Sequence, residues 1–201
     1  MMNILNMKAI GEVATIVPGA TNSHYDKEVV EGAALAKLLT GRALTDQGCI
    51  DLEGLQTVWL SEGRSVERFT LQSGDVVLMA RGTGVRAGLI TDAVAQQGVV
   101  ASSNFLIIRP NSNEISGAVL TAYLNSELGK SALVGMGKGS VIPSIPASGL
   151  RSLMVPVPST LVQEQVADLR EASQEAYRAT LALAEQQQKT AQARILNLLC
   201  A

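Results

Sequence analysis

The C-terminal segment constrains this chain more than any other part of it. From Thr160 to Leu199 the sequence contains neither proline nor glycine and is dominated by Ala, Leu, Glu, Gln and Arg, residues that lose little conformational freedom in a helix. One uninterrupted helix is predicted, about 60 Å long at 1.5 Å per residue, which exceeds what a compact domain needs. The texture changes at Pro158-Ser159-Thr160, and Thr160 with Gln163 has the spacing of a capping box, in which both side chains satisfy orphan amides at a helix start.

Apolar and small residues recur along this segment at alternating steps of three and four. Leu169, Ala172, Ala176, Ala179 and Leu183 form one seam; Tyr177, Leu181, Ala184, Gln188, Ala191, Ile195 and Leu198 form another. Many seam positions are alanine, so a partner helix can approach closely while gaining little apolar area per turn. An isolated helix would leave Leu, Ile and Tyr in water, which points to a helix from another chain. The alternative is that the helix folds back on its own domain.

The remaining residues suffice for one globular body of ordinary size. Hydrophobic residues make up 47 % and charged residues 17 % of the 201-residue chain, which argues against disorder, and 18 glycines with 6 prolines indicate a turn-rich body. Only 3 % is aromatic, leaving few platforms on which single-stranded bases stack. No signal peptide and no bilayer-spanning run is legible, so a cytoplasmic location is expected. Cys49 and Cys200 lie far apart, offering neither a zinc motif nor a disulfide framework.

Net charge is -2, but its distribution is uneven. Residues 76–155 carry six basic side chains (Arg81, Arg86, Arg109, Lys130, Lys138 and Arg151) against three acidic ones, whereas residues 1–75 carry six against ten. A basic middle is what a polyanion partner would require, although chance fluctuation on a solvated surface gives the same count.

Along the body, residues 10–19 (IGEVATIVPG) read as a short strand closed by Pro18 and Gly19, and residues 26–39 as a helical turn or two. Residues 57–60 and 66–71 are strand-like. Ser73-Gly74-Asp75 is a turn feeding a strand from Val76 to Ala80, followed by a loop containing Gly82, Gly84 and Gly88. The apolar run 98–108 reads as a strand ending at Arg109-Pro110, residues 118–126 as a helix, 135–140 as a flexible connection, 141–146 as extended and 150–157 as a last strand.

No catalytic constellation emerges. The one histidine, His24, lies beside Ser23 and Asp26, too close in sequence for a hydrolytic triad. A Ser-Lys dyad from Lys138 with Ser140 or Ser144 sits in glycine- and proline-rich sequence where an exposed lysine keeps its proton. Gly82, Gly84 and Gly88 make GxGxxxG, one residue too long for a dinucleotide fingerprint, and Lys138 lacks the flanking residues of a phosphate loop. No cluster of Asp, Glu and His has metal-ligand spacing.

Four pieces in order carry a resemblance: IGEVATIVPG from Ile10, LQSGDVVLMARGTG from Leu71, VVASSNFLIIRP from Val99, and SIPASGLRSLMVPVPSTLVQEQVADL from Ser144. Together they resemble the specificity subunits of type I restriction-modification systems. The last piece is the most specific, because in that family a strand with a VPxP-like ending passes directly into a long helix with an EQ pair near its start; Pro156, Pro158, Glu164 and Gln165 occupy those positions.

The resemblance implies an α+β fold. Residues 1–158 would form a DNA target-recognition domain with a strongly bent β-sheet and few helices, and residues 159–201 a coiled-coil spacer helix. It implies a non-catalytic subunit that reads double-stranded DNA and directs methyltransferase subunits, and in a restricting complex a nuclease subunit, to a bipartite target. S-adenosylmethionine would bind the methyltransferase; no cofactor is expected in this chain.

DNA contacts are expected from Arg81, Thr83 and Arg86 on the glycine-rich loop, since arginine's forked donors suit guanine edges or phosphates. The resemblance adds Lys138, Ser140 and Arg151 by position. Asn104 or Ser103 reads an adenine edge or serves only as a strand residue, the second being preferred. Leu169, Ala176, Leu183, Tyr177, Leu181, Ile195 and Leu198 are the expected partner-helix contacts. A full subunit of the family carries two such halves; this chain resembles one, as a homodimer, as the companion of another half, or as a vestigial form that only assembles. Alternatives of other classes are an assembly protein that reads no DNA and a Ser-Lys hydrolase.

Overall fold

The computed structural model describes residues 6–82, 84–136 and 144–200. Among the described residues, ten strands and five α-helices build a layered body and a sixth, long helix leaves it. The chain opens with β1 (Met7–Ala9), a single helical turn α1 (Ile10–Val13) and β2 (Ala14–Pro18), so the predicted strand at residues 10–19 is half right: its first residues turn, burying Ile10 and Val13. After β3 (Tyr25–Asp26) comes β4 (Leu35–Leu39), a strand where helical turns were expected. Ala and Leu favour helix locally, but Leu38 and Leu39 are drawn into the body by pairing on both edges, with β5 (Gln56–Leu60) and β8 (Val99–Ala101). Tertiary pairing overrides a weak propensity. Residues 66–71 are a second departure: a 3-10 turn over Glu67–Phe69 replaces the predicted strand.

The first four-stranded sheet has the order β2-β9-β6-β7, with β6 (Val76–Met79), β7 (Ala87–Leu89) and β9 (Phe105–Pro110), all antiparallel. Its residues divide strictly by face. Val76, Leu78, Leu106 and Ile108 enter one apolar cluster with α1, α3 (Gly117–Asn125), α5 (Ala147–Arg151) and β10 (Met154–Pro156). Val77, Met79, Phe105 and Ile107 enter another with Leu39, Val99 and Ala101 of the second sheet, β3-β5-β4-β8. A sheet covered on both faces needs continuous apolar strands rather than alternation, which is why VVLM and FLII read as unbroken runs. Fully burying a side chain such as Phe105 contributes about 2–3 kcal/mol.

The apolar run at 98–108 is two strands. β8 and β9 are separated by a tight turn at 103–104, and the chain passes there from one sheet to the other. The predicted helix at 118–126 is α3, capped by the Ser116 hydroxyl, which accepts from the Val119 amide. α4 (Glu127–Met136) follows, absorbing Gly135 and Met136 of the expected connection; residues 137–143 lie outside the described residues. The expected strand at 150–157 is shorter, since Leu150 and Arg151 finish α5 and only β10 pairs, with β1.

α6 (Thr160–Leu199) is the predicted rod. Its start differs from the expected capping box: no side chain caps the helix. Gln163 instead accepts from the Ser116 amide at 2.7 Å and donates to the carbonyls of Glu114 and Pro158. The glutamine ties the helix to the loop before α3 rather than to its own first turn.

Candidate nucleic-acid interface

Three loops meet at one end of the body. β4 ends in a tight turn over residues 40–43, closed by the Ala43 amide donating to Thr40. The β8–β9 turn joins it, because the Ser102 amide donates to the carbonyl of Leu39. The loop after β6 joins in turn, as the amides of Ala80 and Arg81 both donate to the Asn104 carbonyl, at 2.9 and 3.2 Å. A bridge between Arg81 and Ser144 adds the segment leading into α5.

Arg81 is exposed, and its side chain has no hydrogen-bond or ion-pair partner among the described residues, although its backbone is held on both sides. Gly82 (φ 126°) and Gly84 (φ 84°) follow in conformations that only glycine adopts without strain, so the backbone here can come close to a ligand. Asn104, expected as a strand residue, stands exposed at the turn beside Arg81.

Arg86 has a different position from the one expected of a groove-reading side chain. Its side chain is 19 % exposed and faces inward: Nε donates to the Leu44 carbonyl at 3.0 Å, Nη2 to that of Gly41 at 2.9 Å, and Nη1 lies 3.5 Å from an Asp46 carboxylate oxygen. Arg109, one of the six central cations, is likewise internal. It forms a two-point pair with Asp75, 2.9 Å at each contact, and its guanidinium is held above its ordinary pKa chiefly by that hydrogen bond. Arg151 is exposed but stands apart, its Cβ against Gly11 ahead of β2, toward the opposite end of the sheet from Arg81. Thr83, Lys138 and Ser140 lie outside the described residues.

The chain from 43 to 51 is a small hairpin, bridged at Leu44 and Ile50, with Gly48 at its tip (φ 72°). Arg86 holds its base; Arg170 of α6 holds its tip, donating to the Gly48 carbonyl at 3.0 Å. Burial against this hairpin pushes the Arg170 guanidinium below its ordinary pKa. Gln163, Val166, Ala167, Arg170 and Gln174 are the half-buried residues of α6, at steps of three and four on one face with Val166 and Ala167 sharing a turn. From Glu175 onward every residue of the helix is exposed.

The two apolar seams occupy adjacent sides of this helix, about 100° apart at 3.6 residues per turn. Tyr177, Leu181, Ile195 and Leu198 continue the face that docks on the body; Leu169, Ala176 and Leu183 lie on the far side, and all seven are exposed. Where the docked face leaves the body, Tyr177 and Leu181 border a cleft of about 470 Å³ with Ile50, Leu52 and Val94 opposite.

No protein-family model and no curated protein matches the chain. Solved structures do. One, described as the structural basis of complex assembly and conformational transition of the type I R-M system, aligns with a TM-score of 0.62 at 19 % identity, over 94 % of this chain and 47 % of its own. The HsdS subunit from Thermoanaerobacter tengcongensis aligns with a TM-score of 0.59 at 20 % identity, over 92 % and 45 %. The chain is folded like half of an HsdS subunit. It spans a little under half the length of either solved chain. The α+β class with few helices and one long C-terminal helix, expected from the sequence resemblance, is thus the observed fold.

Chemistry of other kinds finds little support. His24 Nδ1 lies near the hydroxyls of Thr21 (3.1 Å) and Ser23 (3.4 Å), and its ring meets the Phe69 ring edge-on at 4.9 Å, so it is a packed turn residue. Among the described residues no three His, Cys, Asp or Glu side chains converge, and no helix is long and apolar enough to cross a membrane. Cys49 and Cys200 are both free thiols. Gln163 was legible only as a capping residue and Arg170 not at all; their signal was their place on the face shared with Val166 and Ala167 in the first helical turns.

Proposed function

We propose that this chain is a sequence-specific DNA-recognition subunit of a type I-like restriction-modification system. It directs partner methyltransferase subunits, and in a restricting complex a nuclease, to a bipartite target, and it has no catalytic centre of its own. One observation carries the reading: an unpaired arginine on a backbone-anchored loop belongs to a body that is locked, through Gln163 and Arg170, onto a rod projecting well past it. Such an arrangement holds a reading head at a fixed distance and angle from whatever grips the far half of the rod. Arginine on a closely approaching loop suits phosphate and guanine edges.

Two copies joined by the Tyr177–Leu198 seams would supply two reading heads and a two-fold, palindromic target. S-adenosylmethionine would be bound by the methyltransferase, and the acidic balance of this chain makes tight binding dependent on that partner. Co-expression with a type I methylation subunit, followed by genome-wide mapping of methylated bases, tests the proposal. A split motif with identical halves is expected, and absence of any motif dependent on this chain overturns it.

The inward position of Arg86 and Arg109 favours a second reading, in which the chain only assembles partners through α6. Arg81→Glu separates the two: it abolishes selective methylation under the first and changes nothing under the second.

A further inference from the structure

We propose that Arg42 is a second DNA-contacting arginine, placed on a backbone phosphate of the duplex that Arg81 reads, and that Arg86 is the positioning residue that holds it there. The proposal deepens the DNA-recognition reading and rests on it.

Arg42 lies third in the turn 40–43, at the end of β4, and is exposed with no hydrogen-bond or ion-pair partner among the described residues. Its turn and the Arg81 loop end neighbouring strands of the two sheets and enclose one side chain between them: a Cβ on Gly41 would stand 3.3 Å from the Met79 sulfur, and one on Gly82 would stand 3.5 Å from the Met79 methyl. The two unpaired cations therefore sit on adjacent loops, joined through the thioether and through the Asn104 turn.

The fixing of this turn is unusual in kind. A half-buried guanidinium, Arg86, spends its donors on the carbonyls of Gly41 and Leu44, immediately flanking Arg42 and Ala43. Two hydrogen bonds from a charged donor to neighbouring carbonyls fix the turn more firmly than its single internal bond to Thr40. Arg86 also approaches Asp46 on the near arm of the hairpin at 3.5 Å, which lowers the repulsion that side chain would present to a polyanion; Asp51, whose amide donates to the Ala43 carbonyl, is a second carboxylate beside the turn. A turn held by a half-buried guanidinium and tipped with an exposed arginine suits an anion at a fixed distance from Arg81. Spaced phosphates along a duplex provide one; a phosphate contact positions the protein without reading sequence.

The test uses the full chain assembled with a type I methylation subunit and a duplex selected by that wild-type complex from a random pool, titrated at several salt concentrations. Arg42→Glu is expected to weaken binding roughly tenfold on the selected duplex and by the same factor on unrelated duplexes, and to reduce the slope of log affinity against log salt by about one. Arg86→Met is expected to give the same weakening, and the double variant no more than either alone, because one contact is lost by two routes. Arg86→Met lowers thermal stability while Arg42→Glu does not, so coupling in affinity separates positioning from a merely structural role. Unchanged affinity in Arg42→Glu overturns the proposal while leaving the DNA reading intact. Relaxed preference at one base pair with an unchanged salt slope also overturns it, by making Arg42 a base reader. Selection of no duplex by the wild type removes the DNA reading and this proposal together.

Discussion

The guanidinium of Arg170 donates to the carbonyl of Gly48 at 3.0 Å across 122 residues of sequence, and it fastens the rod to the hairpin that leads to the turn carrying Arg42. Gln163 fastens the same helix two turns earlier. Removing these contacts leaves the Gly48 and Glu114 carbonyls and the Ser116 amide short of partners. Arg170→Met and Gln163→Ala are each expected to cost about 1–2 kcal/mol in urea unfolding. Hydrogen exchange should rise in residues 160–175 before it rises in the sheets.

On the proposed pairing of two copies, the two seams of α6 contribute unequally. Leu181→Glu and Ile195→Glu place charge on the face that continues from the body and are expected to dissociate the homodimer, read by light scattering behind size exclusion. Leu169→Glu and Ala176→Glu, on the seam about 100° round the helix and turned away from the body, should leave self-association unchanged. Equal effects on both faces would contradict pairing through the Tyr177–Leu198 seam.

Asp75 is buried and paired with Arg109, so removing either partner leaves an uncompensated charge. Asp75→Ala is expected to destabilise by about 3 kcal/mol, measured by chemical denaturation. Replacing both, as Asp75→Leu with Arg109→Met, should recover much of that loss, because the desolvation of both ions is then avoided.

Arg81 is exposed and unpaired, so Arg81→Glu should leave the melting temperature unchanged while abolishing selection of a preferred duplex. A drop in melting temperature would show instead that its side chain supports the fold.

The long helix, the Val76 strand and the helix after Ser116 were legible in the sequence because each is set by local pattern: uninterrupted helix formers, an apolar run between turn residues, and apolar spacing behind a serine cap. The strand at 35–39 was not, since LAKLL has no β-branched residue and becomes a strand only by pairing with two partners distant in sequence. The same limit applies to the site. Arg81 was found from its glycine-rich surroundings, but Arg86, three residues beyond Thr83, is indistinguishable from it in sequence. What separates them is a pair of carbonyls more than forty residues away. Gln163 likewise has the spacing of a capping residue, and only the nearness of Ser116 reveals that it serves another purpose.

The hairpin at 43–51 is gripped at its base by one arginine and at its tip by another. Any tilt of the rod is therefore transmitted along a short lever to the turn carrying Arg42, with little slack to absorb it. In a paired assembly, stretching or compressing the interval between half-targets would strain the protein's hold on each of them. Tolerance for altered target spacing and strength of grip on a single half-target should then vary together, and a softer hairpin would loosen both at once.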